Sequence, residues 1–132
     1  MVNNKETNYL SWFQKADEDE LSISAILKNN GAYSTVCFLS QQMAEKYLKA
    51  ILIHHQGELP KIHALDRLLE LCTAIEPDML VLRDDAIFLT DFYIDTRYPG
   101  NYYDFSWSDA KQALTAAERI KTTCLKALQK VK

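Results

Sequence analysis

Residues 33–55 read YSTVCFLSQQMAEKYLKAILIHH, and the spacing of the apolar side chains in this stretch decides the fold class. Val36, Cys37, Ser40, Ala44, Tyr47, Leu48 and Ile51 recur at intervals of three and four, which is the period of an α-helix and not the alternation of a strand. The stretch therefore predicts a long helix with one inward stripe, in which the small side chains of Ser40 and Ala44 let a second helix approach closely. Gln56-Gly57-Glu58-Leu59-Pro60 then breaks it.

The same period extends in both directions. Upstream, Trp12, Ala16, Ile23, Ile26 and Leu27 mark one face of a helix over 7–29, with Lys15, Glu18, Ser22 and Lys28 outside. Its acidic run Asp17-Glu18-Asp19-Glu20 is expected to gain from the positive end of the helix dipole. Asn29-Asn30-Gly31 stops it, with Gly31 assigned the left-handed C-terminal position. Downstream, Leu65, Leu68, Leu69 and Cys72 predict a shorter helix over 63–75. Pro77 suits the first turn of a further long helix, which carries Val81, Leu82, Leu89, Phe92 and Tyr93 inward and ends at Tyr98-Pro99-Gly100. After the aromatic stretch Asn101-Tyr102-Tyr103-Asp104-Phe105, Ser106 serves as N-cap with Asp109 three residues on. Ala110, Ala113, Leu114, Ala117, Ile120, Cys124 and Leu128 then line the last helix. The expectation is one all-α domain over 1–132, an up-and-down bundle of four long helices plus one short one.

Composition excludes several classes. The 132 residues are 48% apolar and 25% charged, with only 3 Gly and 3 Pro, too few turn residues for a β-sandwich or barrel. A net charge of −3 argues against a broad basic face for duplex DNA, though not against a local basic groove. No apolar run is long enough for a membrane span, and the start Met-Val-Asn-Asn-Lys-Glu has no signal-peptide core, so a cytoplasmic location is expected. Cys37, Cys72 and Cys124 form no CxxC and sit in apolar helical surroundings, which predicts buried free thiols.

Two clusters carry candidate chemistry. In the second helix, Gln41, Glu45 and Lys49 share a face, and Gln42 and Lys46 share another. Glu45 and Lys49 read either as an i,i+4 ion pair on a solvated helix or, with Lys46 and the two amides, as the lining of a groove for an anionic ligand. The second cluster is Thr96-Arg97-Tyr98-Pro99-Gly100. Arg97 reads as a cap on the last carbonyls of a helix. Tyr98, Tyr102, Tyr103, Phe105 and Trp107 nearby equally suit a site that holds a phosphate and stacks a base, or a protein interface. That density of rings also predicts a homodimer, since a small monomer seldom leaves so much aromatic surface in water.

Metal and cofactor chemistry find no support in the motifs. His54 and His55 are adjacent and point about 100° apart on a helix. His63 stands alone after Pro60, Asp84-Asp85 has no nearby His, and there is no HxxxH, HExxH, P-loop, GxGxxG or GxSxG. No base can be named for a Ser or Cys nucleophile, so neither a metal, a cofactor nor a conventional hydrolase is expected.

From Trp12 to Leu128 the chain resembles the HEPN domain. The resemblance is carried by Trp12, Ala16 and Asp19, by Tyr33 with Cys37-Phe38 leading into 41–50, by Pro60-Lys61-Ile62-His63-Ala64-Leu65, and by Thr96-Arg97-Tyr98-Pro99. It implies a helical bundle that is commonly a homodimer. It also implies a link to nucleotides, often through a minimal nucleotidyltransferase partner in toxin–antitoxin or defence systems. Some such domains are metal-independent ribonucleases in which an Arg stabilises phosphate charge and a His four to six residues later handles protons. The matching Arg is Arg97, but positions 101–103 are Asn101, Tyr102 and Tyr103. A Tyr, with an ordinary pKa of about 10, is a poor proton carrier at neutral pH. The expectation is a nucleotide-binding, non-catalytic module using Arg97, Tyr98, Tyr102, Gln41, Gln42, Glu45, Lys46 and Lys49. The alternatives are a ribonuclease using Arg97 with His63, and a module that only binds another protein.

Overall fold

The structure, a computed structural model, describes residues 8–92 and 105–129. Within them lie five α-helices, α1 (Tyr9–Lys28), α2 (Tyr33–Gln56), α3 (Leu65–Ile75), α4 (Arg83–Thr90) and α5 (Trp107–Gln129), with a 3₁₀ helix (Pro77–Leu82) between α3 and α4. No strand occurs among the described residues. The fold is all-α.

The second helix is the axis of the molecule. It packs against α1, α3 and α5 at once, so fourteen of its 24 residues are buried. Every residue from Tyr47 to Ile53 is buried, which takes in the expected stripe and also the positions between its members. A helix enclosed on most of its circumference loses the clean amphipathic pattern of a surface helix. The last helix packs on it, and its buried Ala110, Ala113 and Ala117 have short side chains that permit close helix approach. Cys37, Cys72 and Cys124 are buried and unpaired, as expected.

Local chemistry explains most of the boundaries. Asn8 Oδ1 accepts from the Leu10 amide at 2.9 Å and caps α1. Ser106 and Asp109 form the expected capping box at the start of α5: the Asp109 amide donates to Ser106 Oγ at 3.1 Å, and the Ser106 amide to Asp109 Oδ2 at 2.8 Å. At the end of α1 the left-handed residue is Asn30, with φ of 53°, and not Gly31. The Gly31 amide instead closes a six-residue turn onto the Ile26 carbonyl at 2.8 Å. Glycine is needed there for space, because a Cβ would lie 2.7 Å from Ile26 Cγ2.

Three expectations are corrected. The long helix from Pro77 is divided: Pro77 does open it, but the chain runs as a 3₁₀ helix to Leu82 before α4 begins. Residues three apart eclipse in a 3₁₀ helix, so Met79 and Leu82 both point inward and Val81, expected inside, is 77% exposed. Tyr93 and the predicted end at Tyr98-Pro99-Gly100 lie outside the described residues. Secondly, the acidic run 17–20 is mid-helix, and no acid stands in the first turn of α1. Three of its four carboxylates bond instead to side chains of neighbouring helices, Asp17 to Tyr47 (2.9 Å), Asp19 to Lys46 (2.7 Å) and Glu20 to Lys121 (2.6 Å). Thirdly, α3 begins at Leu65, leaving His63 in the preceding connection.

Candidate functional site

The start of α3 meets the middle of α2 at a corner built by hydrogen bonds between distant parts of the chain. Gln41 Nε2 donates to the His63 carbonyl at 3.2 Å, which fixes the connection before α3 against α2. The Leu65 amide, one of the orphan donors of a helix start, donates to Thr90 Oγ1 at 3.1 Å. Thr90 is the last residue of α4, so the end of α4 is held at the same corner. Two residues on, the Phe92 ring meets the Phe105 ring edge-on at 5.8 Å. The described residues on either side of segment 93–104 therefore lie together, and Thr90 ties the first side to Leu65, two residues from His63.

At this corner Glu45 accepts three hydrogen bonds. Gln41 Nε2 reaches Oε1 at 3.1 Å, while Lys49 Nζ at 2.8 Å and His63 Nδ1 at 3.0 Å share Oε2. Lys49 and Gln41 can only donate to that carboxylate, so it acts as an acceptor throughout and the His63 contact is made by an Nδ1–H. Gln42 Nε2 donates to Gln41 Oε1 at 2.7 Å and extends the chain of contacts outward. Gln41, Glu45 and Lys49 are buried, whereas the His63 side chain is 52% exposed. The face of the Trp12 ring lies 5.9 Å from Lys49 Nζ, a second favourable environment for the ammonium.

The arrangement corrects the reading of Glu45 and Lys49 as a solvated pair. Their side chains are 7% and 9% exposed, so the charges meet in a medium of low polarity where water screens them little. Of the residues singled out in the sequence, Gln41, Gln42, Glu45, Lys49 and His63 come together. Lys46 does not join them: it projects to α1 and pairs with Asp19. Burial pushes the Asp19 carboxyl above the ordinary range, and the Lys46 hydrogen bond offsets only part of that. Next to it, burial and the hydrogen bond to Asp17 raise the Tyr47 phenol, leaving its proton on that oxygen. Arg97, Tyr98 and Tyr102 lie outside the described residues. Sequence reasoning missed Thr90 and the Trp12–Lys49 contact. Thr90 had no signal within its own helix, whereas Trp12 falls on the inner stripe of α1.

Two comparisons bear on this architecture. A family model described as the HEPN domain matches residues 9–128. The chain belongs to the HEPN family. The crystal structure of an archaeal HEPN homologue is similar to this HEPN chain, with a TM-score of 0.71 and 30% identity, covering 91% of this chain and 97% of that one. No curated protein matches it. In this HEPN domain no described helix is long and apolar enough to cross a membrane, and no group of three or more His, Cys, Asp or Glu among the described residues is placed to hold a metal.

Proposed function

We propose that this HEPN chain is a nucleotide-binding, non-catalytic module of the cytoplasm. In this reading it forms a homodimer and partners a minimal nucleotidyltransferase in a toxin–antitoxin or defence-type system. The observation that carries the reading is the corner at His63. Phe92 and Phe105, which flank the segment bearing Arg97, Tyr98 and Tyr102, meet each other, and Thr90 is bonded to Leu65, two residues from His63 and the polar cluster of Gln41, Gln42, Glu45 and Lys49. Glu45 and Lys49 cancel one another, and Asp19 occupies Lys46. Affinity for a phosphate must then come chiefly from Arg97, with the amides and tyrosines selecting the rest of the nucleotide.

Calorimetric titration with ATP, GTP and a short RNA tests it. Arg97→Ala should weaken phosphate binding by about 1.5–3 kcal/mol, the value of a lost charge-assisted hydrogen bond. Arg97→Lys keeps the charge without the planar fork and should fall between. Stability should drop by no more than a capping interaction, about 0.3–1 kcal/mol. No heat above background with any ligand sinks the proposal. A variant Arg97→Ala that binds normally but melts several degrees lower makes Arg97 a helix cap.

One observation favours a second reading, the metal-independent ribonuclease. His63 is exposed, and a buried carboxylate on its Nδ1 holds the ring as such groups hold a general acid–base imidazole. Incubation with labelled RNA in chelator decides it. Cleavage lost in both Arg97→Ala and His63→Ala would establish the enzyme, and intact RNA at high protein concentration would remove it.

A further inference from the structure

Glu45 Oε2 accepts hydrogen bonds from two side chains that can both carry positive charge. Lys49 Nζ lies 2.8 Å from it and His63 Nδ1 3.0 Å, while Gln41 Nε2 takes the other oxygen. The Glu45 and Lys49 side chains, 7% and 9% exposed, balance each other's charge. The His63 side chain is 52% exposed, so it forms the wet edge of the cluster. Its Nδ1 keeps a hydrogen on the carboxylate, which makes Nε2 the nitrogen that takes up a second proton. Uptake there leaves one anion and two cations. The surplus positive charge sits at the exposed edge, backed by an ion pair that water screens little.

Like charge disfavours an imidazolium beside Lys49, and an anion arriving at the ring removes that penalty. Anion binding and proton uptake therefore favour one another, each by the same factor. We infer that His63 is a phosphate ligand of this HEPN chain: it takes a proton from solvent onto Nε2 as the phosphate binds, and donates that N–H to a phosphate oxygen. The charged groups facing the ring from α2 are Glu45 and Lys49. Trp12 of α1 and Thr90 of α4 bring no charge to the corner, and Lys61 and Asp66, which flank His63 in the chain, are opposite in sign. The inference rests on the phosphate site of the proposed function. It adds a second ligand whose charge follows pH, where Arg97 keeps its charge throughout.

The probe is sulfate, a tetrahedral oxyanion that keeps its charge between pH 6 and pH 8. The full chain is titrated calorimetrically at both pH values, and at pH 7 in two buffers of different ionisation enthalpy, which counts the protons exchanged. Affinity should be at least about threefold higher at pH 6, because the added cation is present only while the imidazole is protonated. A fraction of a proton should be taken up for each sulfate bound. His63→Gln should abolish both effects, and its circular dichroism melt checks that it folds. His54→Gln, in the last turn of α2, should keep both. Arg97→Ala should weaken binding by a similar factor at the two pH values and leave their ratio in place. Equal affinity at pH 6 and pH 8 without proton uptake overturns the inference, while a site built on Arg97 stands. A pH dependence that survives in His63→Gln overturns it too and places the proton on another group. Sulfate that binds at neither pH also overturns it, and the nucleotide titrations then judge the proposed function by themselves. An Arg97→Ala chain that binds as wild type with the pH dependence intact supports His63 as the ligand and removes Arg97 from the site.

Discussion

Glu45→Gln should lower the stability of the domain by about 3 kcal/mol, the lower end of the range for breaking a buried ion pair by removing one partner. The substitution preserves shape but removes the charge that holds Lys49 at 2.8 Å and His63 at 3.0 Å on one oxygen. The Lys49 side chain is only 9% exposed, so its ammonium would be left without an anion and with little water. Two features keep the cost from the upper end: the Trp12 ring 5.9 Å away and the half-exposed edge at His63, where water can enter. A loss of this size should lower Tm by about 10 °C in a domain of this length. Urea unfolding followed by circular dichroism measures it directly. Lys49→Met should cost a similar amount, and the two together much less than their sum, with a coupling of at least about 2 kcal/mol. A loss below about 1 kcal/mol for Glu45→Gln, or additivity of the two changes, would mean that water screens the pair as it does on a surface.

The three thiols should resist alkylation at pH 8 in the folded protein and react together once urea unfolds it, because burial pushes Cys37 and Cys72 up to about 12 and Cys124 well up too; labelling of native protein at the rate of a free thiol would refute this. Gly31→Ala should destabilise by about 1–2 kcal/mol, since the new Cβ meets the stiff β-branched side chain of Ile26, and unchanged urea midpoints would contradict that account. Asp19 has a folded-state pKa raised above its unfolded value, so its contribution favours the fold below the ordinary carboxylate range and is lost as pH rises through the folded value. Measured from pH 3 to pH 7, the stability of Asp19→Asn should therefore gain on the wild type as pH rises; a difference that moves the other way would show that Lys46 outweighs burial at this site.

The helical nature of 33–55, the proline opening at Pro77, the capping box at Ser106 and Asp109 and the buried thiols were all legible in the sequence. Each depends on residues within about four positions of one another, or on the apolar period of a single helix. Gln41, Glu45 and Lys49 were likewise placed on one face by spacing alone. Spacing could not say that this face is covered, because burial is decided by what packs opposite: α1 supplies Trp12, and the connection before α3 supplies His63. For the same reason the two lysines, alike in the sequence, part company in the structure, Lys49 to a carboxylate on its own helix and Lys46 to Asp19 on α1. The sequence by itself determined that the stretches of α1, α2, α3 and α5 are helical and which apolar stripe each offers inward, but not the division at Pro77–Leu82 or the exposure of Val81. Tertiary structure alone decided that His63 joins Glu45, that Thr90 takes the Leu65 amide, and that Phe92 meets Phe105, since these contacts join positions from 13 to 25 residues apart that no local rule connects.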